Sequence, residues 1–306
     1  MLDFLTRAAA FVGIILLGIF LRRIGVFKSD DFRVLSNIVL KITLPASIII
    51  SFSQNPIDSS MLALGLLGFG GGVIYMFAGF LLNRKKSKEE RAFSVLNLPG
   101  YNIGAFALPF TQSFLGPVGV VSTCLFDTGN ACICLGTSYS FATMIQDGKG
   151  FSLKTLLRSL SRSVPFLTYL IMLPINLFQI QLPNAIQEFA GIAANANAFM
   201  AMLAIGVGFQ IQAQRDQIWA IVKMLGLRYG IAAVLACVYY FVLPLPLEVR
   251  QTLVILAFSP IGAAVPPFTR QLGGDVGLSS AINSIAIVIS IVIIVALWSS
   301  MGVGFL

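Results

Sequence analysis

Apolar residues run along this chain in long stretches separated by short polar turns. A helix needs about 20 apolar residues to cross a hydrocarbon core. Ten stretches approach that length: 4 to 21, 34 to 53, 61 to 82, 93 to 115, 118 to 144, 164 to 180, 189 to 210, 218 to 242, 250 to 271 and 277 to 302. The pattern predicts an all-α, polytopic membrane protein with ten spans. The first stretch follows Asp3 and shows neither a charged leader nor a small-residue cleavage site, so it is expected to be a retained helix, not a signal peptide.

Two of the ten stretches are interrupted in the same way. The fourth carries PGYNIGAFALP, from Pro99 to Pro109, and the ninth carries SPIGAAVPP, from Ser259 to Pro267. Proline has no backbone donor and clashes with the preceding turn, so each span should break or kink there. In lipid, an open backbone is tolerated only where protein or a water-filled cavity satisfies it. A single break could be an ordinary proline kink. Two are harder to read that way, because the residues after each break are also alike: PFTQSFLGPVG from Pro109 and PFTRQLGGDVG from Pro267. Interrupted spans at matching places in two halves point to the midplane binding site of a secondary transporter.

Composition agrees with the class. The 306 residues are 57% hydrophobic and only 10% charged, with a mean hydropathy of +0.91, where soluble domains carry about 25% charged residues. The net charge of +8 lies in short loops, which argues for topology and against a nucleic-acid surface. Basic residues follow span one (Arg22, Arg23, Lys28, Arg33), span three (Arg84, Lys85, Lys86, Lys88, Arg91) and span five (Lys149, Lys154, Arg158, Arg162). Arg215 follows span seven and Arg270 closes span nine, whereas the loops 54 to 60, 112 to 117, 181 to 188 and 243 to 249 contain neither lysine nor arginine. The positive-inside rule then makes the odd-numbered loops cytoplasmic and leaves both termini outside.

The basic loop 146–163 divides the chain into a first set of five spans, 1–145, and a second, 164–306. Five is odd, so the second set enters from the opposite side and two similar halves become an inverted repeat. In the Gly-rich third span, Gly68 and Gly72 have the spacing of close helix packing. Cys124, Cys132, Cys134 and Cys237 fall inside spans and read as small buried side chains, without the arrangement of a metal site. Histidine is absent, which removes the usual triads and histidine relays.

Several polar residues share one depth. Asn102 is about ten residues into span four, hence roughly 15 Å into a core about 30 Å thick. Asp127 in span five and Pro260 in span nine reach a similar level, and Asn195 and Asn197 lie nearby in span seven. Asp127 is the carboxylate at mid-membrane, where a charge costs about 2.5 to 3.5 kcal/mol, and such residues mark ion or substrate paths. A capping role for Asp127 is the plainer alternative. Lys41 and Arg228 are expected to snorkel toward the cytoplasmic side. The tripeptide DTG at Asp127 occurs in soluble aspartic proteases, but here it has no second mid-membrane aspartate to share a proton with, and Asp275 falls at the cytoplasmic edge. The chain is not expected to be an enzyme.

In order and spacing, VLKITLPASIIISF in span two, NIGAFALP in span four, FDTGNA in span five and PIGAAVPPFTRQ in span nine resemble the auxin efflux carrier family. That family includes the plant PIN-FORMED carriers and bacterial members described as malonate or other carboxylate transporters. The resemblance covers essentially the whole chain. It implies ten helices in two inverted five-helix repeats, with broken helices four and nine crossing at the centre of a transport domain. It also implies an organic anion at that crossing, contacted by the asparagine seven residues before the helix-four proline, here Asn102 before Pro109. The long central loop of the plant carriers is missing, which suits a bacterial protein, and the third span lacks the carboxylate that some plant members carry. Auxin specificity therefore does not transfer.

The expected function is secondary transport of a small organic anion, a carboxylate such as malonate, by alternating access through an elevator or rocking movement. Half-helix N-termini favour a carboxylate. The expected binding amides are Ile103 to Phe106 and Ala263 to Val265, and the expected substrate site comprises Asn102, Ile103, Gly104, Pro109, Pro260, Gly262, Ala263, Pro267, Asn195 and Asn197. Asp127, with Asn130, is the expected coupling group: protonation would remove a charge that repels the anion. A Na⁺ site built from Asp127, Asn130 and freed carbonyls is the rival, and uniport stays open. No cofactor or metal is expected. A passive channel or a sensor without turnover is the alternative from another class. The expected location is a bacterial inner membrane, and assembly as a homodimer is left open.

Overall fold

The computed structural model describes residues 2–28, 30–148, 150–211 and 214–301. Lys149, one of the loop cations, and the chain ends, on whose sides the predicted topology depends, lie outside the described residues. Every element among the described residues is helical. Seven helices are long and apolar enough to cross a membrane: Leu5–Arg23, Asp31–Gln54, Ala63–Leu82, Pro117–Asp147, Asn184–Gly208, Arg215–Phe241 and Val276–Trp298. An eighth is reached if Leu153–Leu160 and Val164–Leu177, which meet at 76°, count as one bent span.

The other two expected spans are each in two pieces. Ser87 begins the first by accepting the Glu90 N–H at 3.1 Å while Glu90 accepts the Ser87 N–H at 3.3 Å, the reciprocal cap that starts Lys88–Asn97. That half-helix stops before Pro99. The chain resumes as a π-helical turn, Ile103–Ala107, that runs into Leu108–Phe114. The ninth expected span stops at Ala257 and resumes as Val265–Gln271, whose two prolines sit in its first turn, where a missing N–H costs nothing.

Sequence periodicity missed three departures from regular helix. Asp31–Gln54 contains a π-helical turn at Val39–Thr43, just ahead of Pro45, in which Leu44 N–H reaches back to the Val39 carbonyl. Pro117–Asp147 contains another at Ile133–Thr137, and the seventh helix changes course at Ala196, between Asn184–Asn195 and Asn197–Gly208.

Close packing brings these pieces together. A Cβ on Gly68 would collide with the Phe126 carbonyl and one on Gly72 with Ile133, so the glycines of Ala63–Leu82 let Pro117–Cys132 lie directly against it. Leu2–Arg23 packs on Asn197–Gly208 in the same way, through Gly18 and Gly206. The larger apolar cluster includes Phe52, Tyr101, Phe106, Phe110 and Phe126 and takes in the first break, while Ile261 and Val265 of the second belong to the smaller cluster.

Candidate functional site

The two interrupted segments meet at their breaks. Asn102 N–H donates to the Pro260 carbonyl at 2.8 Å, joining one non-helical stretch to the other. Pro260 and Gly262 are buried, and Asn102 is 6% exposed.

A buried cation holds the same junction. Arg228 lies midway along Ile218–Phe241 and is 1% exposed. Its Nη1 donates to the Leu98 carbonyl at 2.5 Å, and its Nη2 donates to the Gly100 carbonyl at 2.9 Å and the Ser259 carbonyl at 2.8 Å. These carbonyls are freed where Lys88–Asn97 and Leu247–Ala257 end, so one guanidinium satisfies both breaks and sits at the negative poles of two half-helices. Its carbon stands 5.1 Å from the Tyr75 ring and 5.6 Å from the Tyr101 ring. The snorkelling expected of Arg228 therefore does not occur. A planar fork that finds three carbonyls and two aromatic faces has no reason to reach for water. Lys41 is exposed.

Span five secures the fourth segment through a side chain that imitates backbone. Asn130 Oδ1 accepts the Tyr101 N–H at 2.9 Å, and its Nδ2 donates to the Tyr101 carbonyl at 2.8 Å and to Asp127 Oδ1 at 2.8 Å. Asp127 Oδ2 accepts the Tyr169 hydroxyl at 2.9 Å. Asp127 is 8% exposed and, among the described residues, belongs to no ion pair. The carboxylate is thus two bonds removed from the break, through Asn130. Cys134 also sits at the junction. A Cβ on Gly100 would come within 2.6 Å of its Sγ and one on Gly262 within 3.2 Å. Gly100 has φ +81, so the break needs glycine for its conformation as well as for space.

The amides expected to bind an anion divide into two groups. Ile103 to Phe106 precede the first hydrogen bond of their half-helix, which Ala107 N–H gives to the Asn102 carbonyl at 3.1 Å. They are the free N-terminal donors of a helix that begins inside the protein. On the other segment Val265 N–H is already taken by the Gly262 carbonyl at 3.1 Å, which leaves only Ala263 and Ala264 of that set. Gly104 packs on Leu44, Pro109 is buried, and Pro267 is exposed.

Of the two asparagines in the seventh helix, only one faces inward. Asn197 is fully buried and its Oδ1 accepts the Thr43 hydroxyl at 2.9 Å, whereas Asn195 is exposed on the outer surface. Ser47 Oγ and Asn197 Nδ2 are buried without a hydrogen-bond partner. Val39–Thr43 and Asn197–Gly208 both pack against Ile103–Ala107, so Thr43 and the unfilled Asn197 amide lie on elements that border the free amides, while Ser47 lies one turn further on, in Leu44–Gln54. Thr43, Ser47 and Arg228 were not among the expected site residues. Thr43 and Ser47, four apart and flanking Pro45 in an apolar stretch, were the available signal.

A second polar cluster ties the broken end of Lys88–Asn97 to the ninth segment. Asn97 Nδ2 donates to Thr269 Oγ1 at 3.1 Å, and Asn97 Oδ1 accepts the Ser279 hydroxyl at 2.5 Å. This joins Lys88–Asn97, Val265–Gln271 and Val276–Met301. Among the described residues no group of His, Cys, Asp and Glu is arranged to hold a metal ion.

No protein-family model matches the chain. The chain is similar to "Uncharacterized transporter MJ1031" of Methanocaldococcus jannaschii, being 24% identical over 222 residues that cover 68% of this chain and 70% of the relative. It is thus a multi-pass helical membrane protein similar to a transporter.

Proposed function

We propose that the chain is a secondary transporter of a small organic anion, a carboxylate such as malonate, held where the two broken segments cross. The observation that carries this reading is the junction itself. The Asn102 to Pro260 bond and the Arg228 fork engage four carbonyls across both breaks, and the amides of Ile103 to Phe106 precede the first bond of their half-helix. A fixed cation together with free helix N-termini favours a negative ligand. The unfilled Asn197 amide, on a helix that packs against that segment, supplies a further polar contact. Counting each broken segment as one crossing gives ten spans in two inverted halves, the arrangement that the resemblance to auxin efflux carriers implies, and alternating access is the movement such halves support. Both termini outside a bacterial inner membrane is the orientation that the loop charges support.

Asp127 is the proposed coupling group. It lies beside the junction and, among the described residues, pairs with no cation, so its negative form disfavours the anion and its protonated form does not. The rival Na⁺ site loses its best ligands, since the carbonyls of Leu98, Gly100 and Ser259 are all engaged by Arg228. No chemical reaction is assigned to any residue.

A thermal-shift screen of mono- and dicarboxylates on the purified protein, at two pH values and with or without sodium, tests this reading. A carboxylate present at 100 times its Kd should stabilise the fold by about 2.7 kcal/mol. The stabilisation should be stronger at the lower pH and indifferent to sodium. A screen in which no anion stabilises the protein, or in which sodium alone does, would count against it.

A further inference from the structure

The connector between the two halves carries a surface that the transport reading does not use. Ser152 caps a helix, Leu153–Leu160, by accepting the Thr155 N–H at 3.2 Å. This helix meets Val164–Leu177 at 76°. If the latter rises through the bilayer, the former lies nearly flat on its surface.

Its faces suit that position. Leu160 is buried and Leu156 packs on Gly136, which docks the helix on the Ile133–Thr137 turn. Next to them around the helix, Leu153 is 58% and Leu157 56% exposed, and Phe151 just ahead is 44% exposed. Further round, Lys154, Arg158 and Arg162 recur at four-residue steps and form one exposed basic stripe. With Thr155 and Ser159 they line a groove of about 360 Å³. None of the three cations forms an ion pair among the described residues, where the pair present is Lys86 with Glu90.

We infer that this groove binds the phosphate headgroup of an anionic phospholipid in the cytoplasmic leaflet, with Leu153, Leu157 and Phe151 entering the acyl region beneath it. The exposed leucines decide for a lipid over a soluble anion, since a free phosphate would have no use for them. A basic stripe beside an apolar one is the surface of an interfacial helix, and anionic headgroups draw such stripes to the membrane. The lipid would thereby fix the connector between the halves at the membrane plane. This inference uses the loop-charge orientation and stands whether or not the crossing carries a carboxylate.

Native mass spectrometry of the full chain, titrated with short-chain phosphatidylglycerol, phosphatidylcholine or inorganic phosphate, tests it. Phosphatidylglycerol should be retained in preference to the other two. The combined variant Lys154→Gln, Arg158→Gln, Arg162→Gln should bind it roughly a hundredfold more weakly. Its melting temperature in neutral detergent should be unchanged, because the three side chains are exposed. Equal retention by the variant, or inorganic phosphate competing as well as the lipid, would overturn the assignment. Should that variant fail to fold, Leu157→Trp in a background with Trp219→Phe and Trp298→Phe gives an independent reading. Its fluorescence should be quenched by lipids brominated on the acyl chain, and quenching by aqueous acrylamide alone would overturn the assignment equally.

Discussion

The main-chain N–H of Asn102 and the carbonyl of Pro260 are 2.8 Å apart, and through that bond two segments distant in sequence satisfy each other at the points where their helices fail. Broken helices in an apolar environment must answer for every freed N–H and C=O. Here the carbonyls of Leu98, Gly100 and Ser259 are answered by Arg228 and that of Pro260 by Asn102, and four amides at the start of Ile103–Ala107 precede the first bond of their half-helix. On the proposed reading, these amides are what favours a negative ligand at the junction.

Arg228→Lys tests whether the fork is needed. An ammonium is a point charge on a flexible stem and does not span three carbonyls as a guanidinium does. At least one carbonyl should be orphaned, at about 1–3 kcal/mol each. The variant should melt measurably lower in detergent and lose transport. A lysine variant with wild-type melting and flux would show that the three bonds are dispensable.

Asn130→Asp keeps the shape of the side chain and deletes the amide hydrogens that Tyr101 and Asp127 accept. The Tyr101 carbonyl would keep only the weak Cys134 thiol as donor, a loss of about 1 kcal/mol or more, and a second carboxylate would face Asp127. A clear drop in melting temperature is expected. Asn130→Ala should fall by a similar amount, since it orphans the Tyr101 N–H and leaves the Tyr101 carbonyl only the weak Cys134 thiol.

The glycines at the two breaks should not tolerate a methyl group equally. At Gly100, φ +81 alone costs an alanine about 1–2 kcal/mol, and its Cβ would stand 2.6 Å from Cys134 Sγ. At Gly262 the corresponding distance is 3.2 Å, so Gly262→Ala should be milder. Adding Cys134→Ala should recover the part of the Gly100→Ala loss that comes from the clash and leave the backbone strain. A double-mutant cycle measured by melting separates the two.

Much of this architecture was legible in the chain. Proline, glycine and asparagine in the middle of an apolar stretch have few compatible conformations, so the breaks near Pro99 and Ser259 and the inward place of Asn102 could be read directly. The ends of the long helices also came from hydropathy. Arg228 could not be read that way. An arginine in an apolar helix looks the same in sequence whether it reaches for water or for carbonyls, and the carbonyls of Leu98, Gly100 and Ser259 gather only in the folded protein. Asn195 and Asn197 show the same limit. They are two positions apart, but the turn at Ala196 decides which one faces inward, and nothing local announces it. The bend between Leu153–Leu160 and Val164–Leu177 was hidden within a stretch that reads in sequence only as a basic loop.

Asp127→Asn tests the coupling role. If the negative form repels the anion, wild-type uptake should rise as pH falls. The neutral amide should make uptake independent of pH, at a level near the wild-type rate in acid. Retained pH dependence in the variant would remove Asp127 from that role.

The most direct measurement is uptake of a labelled dicarboxylate such as malonate into proteoliposomes, comparing the wild-type protein with Asn102→Ala at matched folded content. A carboxylate held at the crossing predicts saturable uptake by the wild type and a loss of at least about tenfold in the variant, in line with one lost hydrogen bond to a charged ligand. Uptake that does not saturate, or that is unchanged in Asn102→Ala, would contradict it.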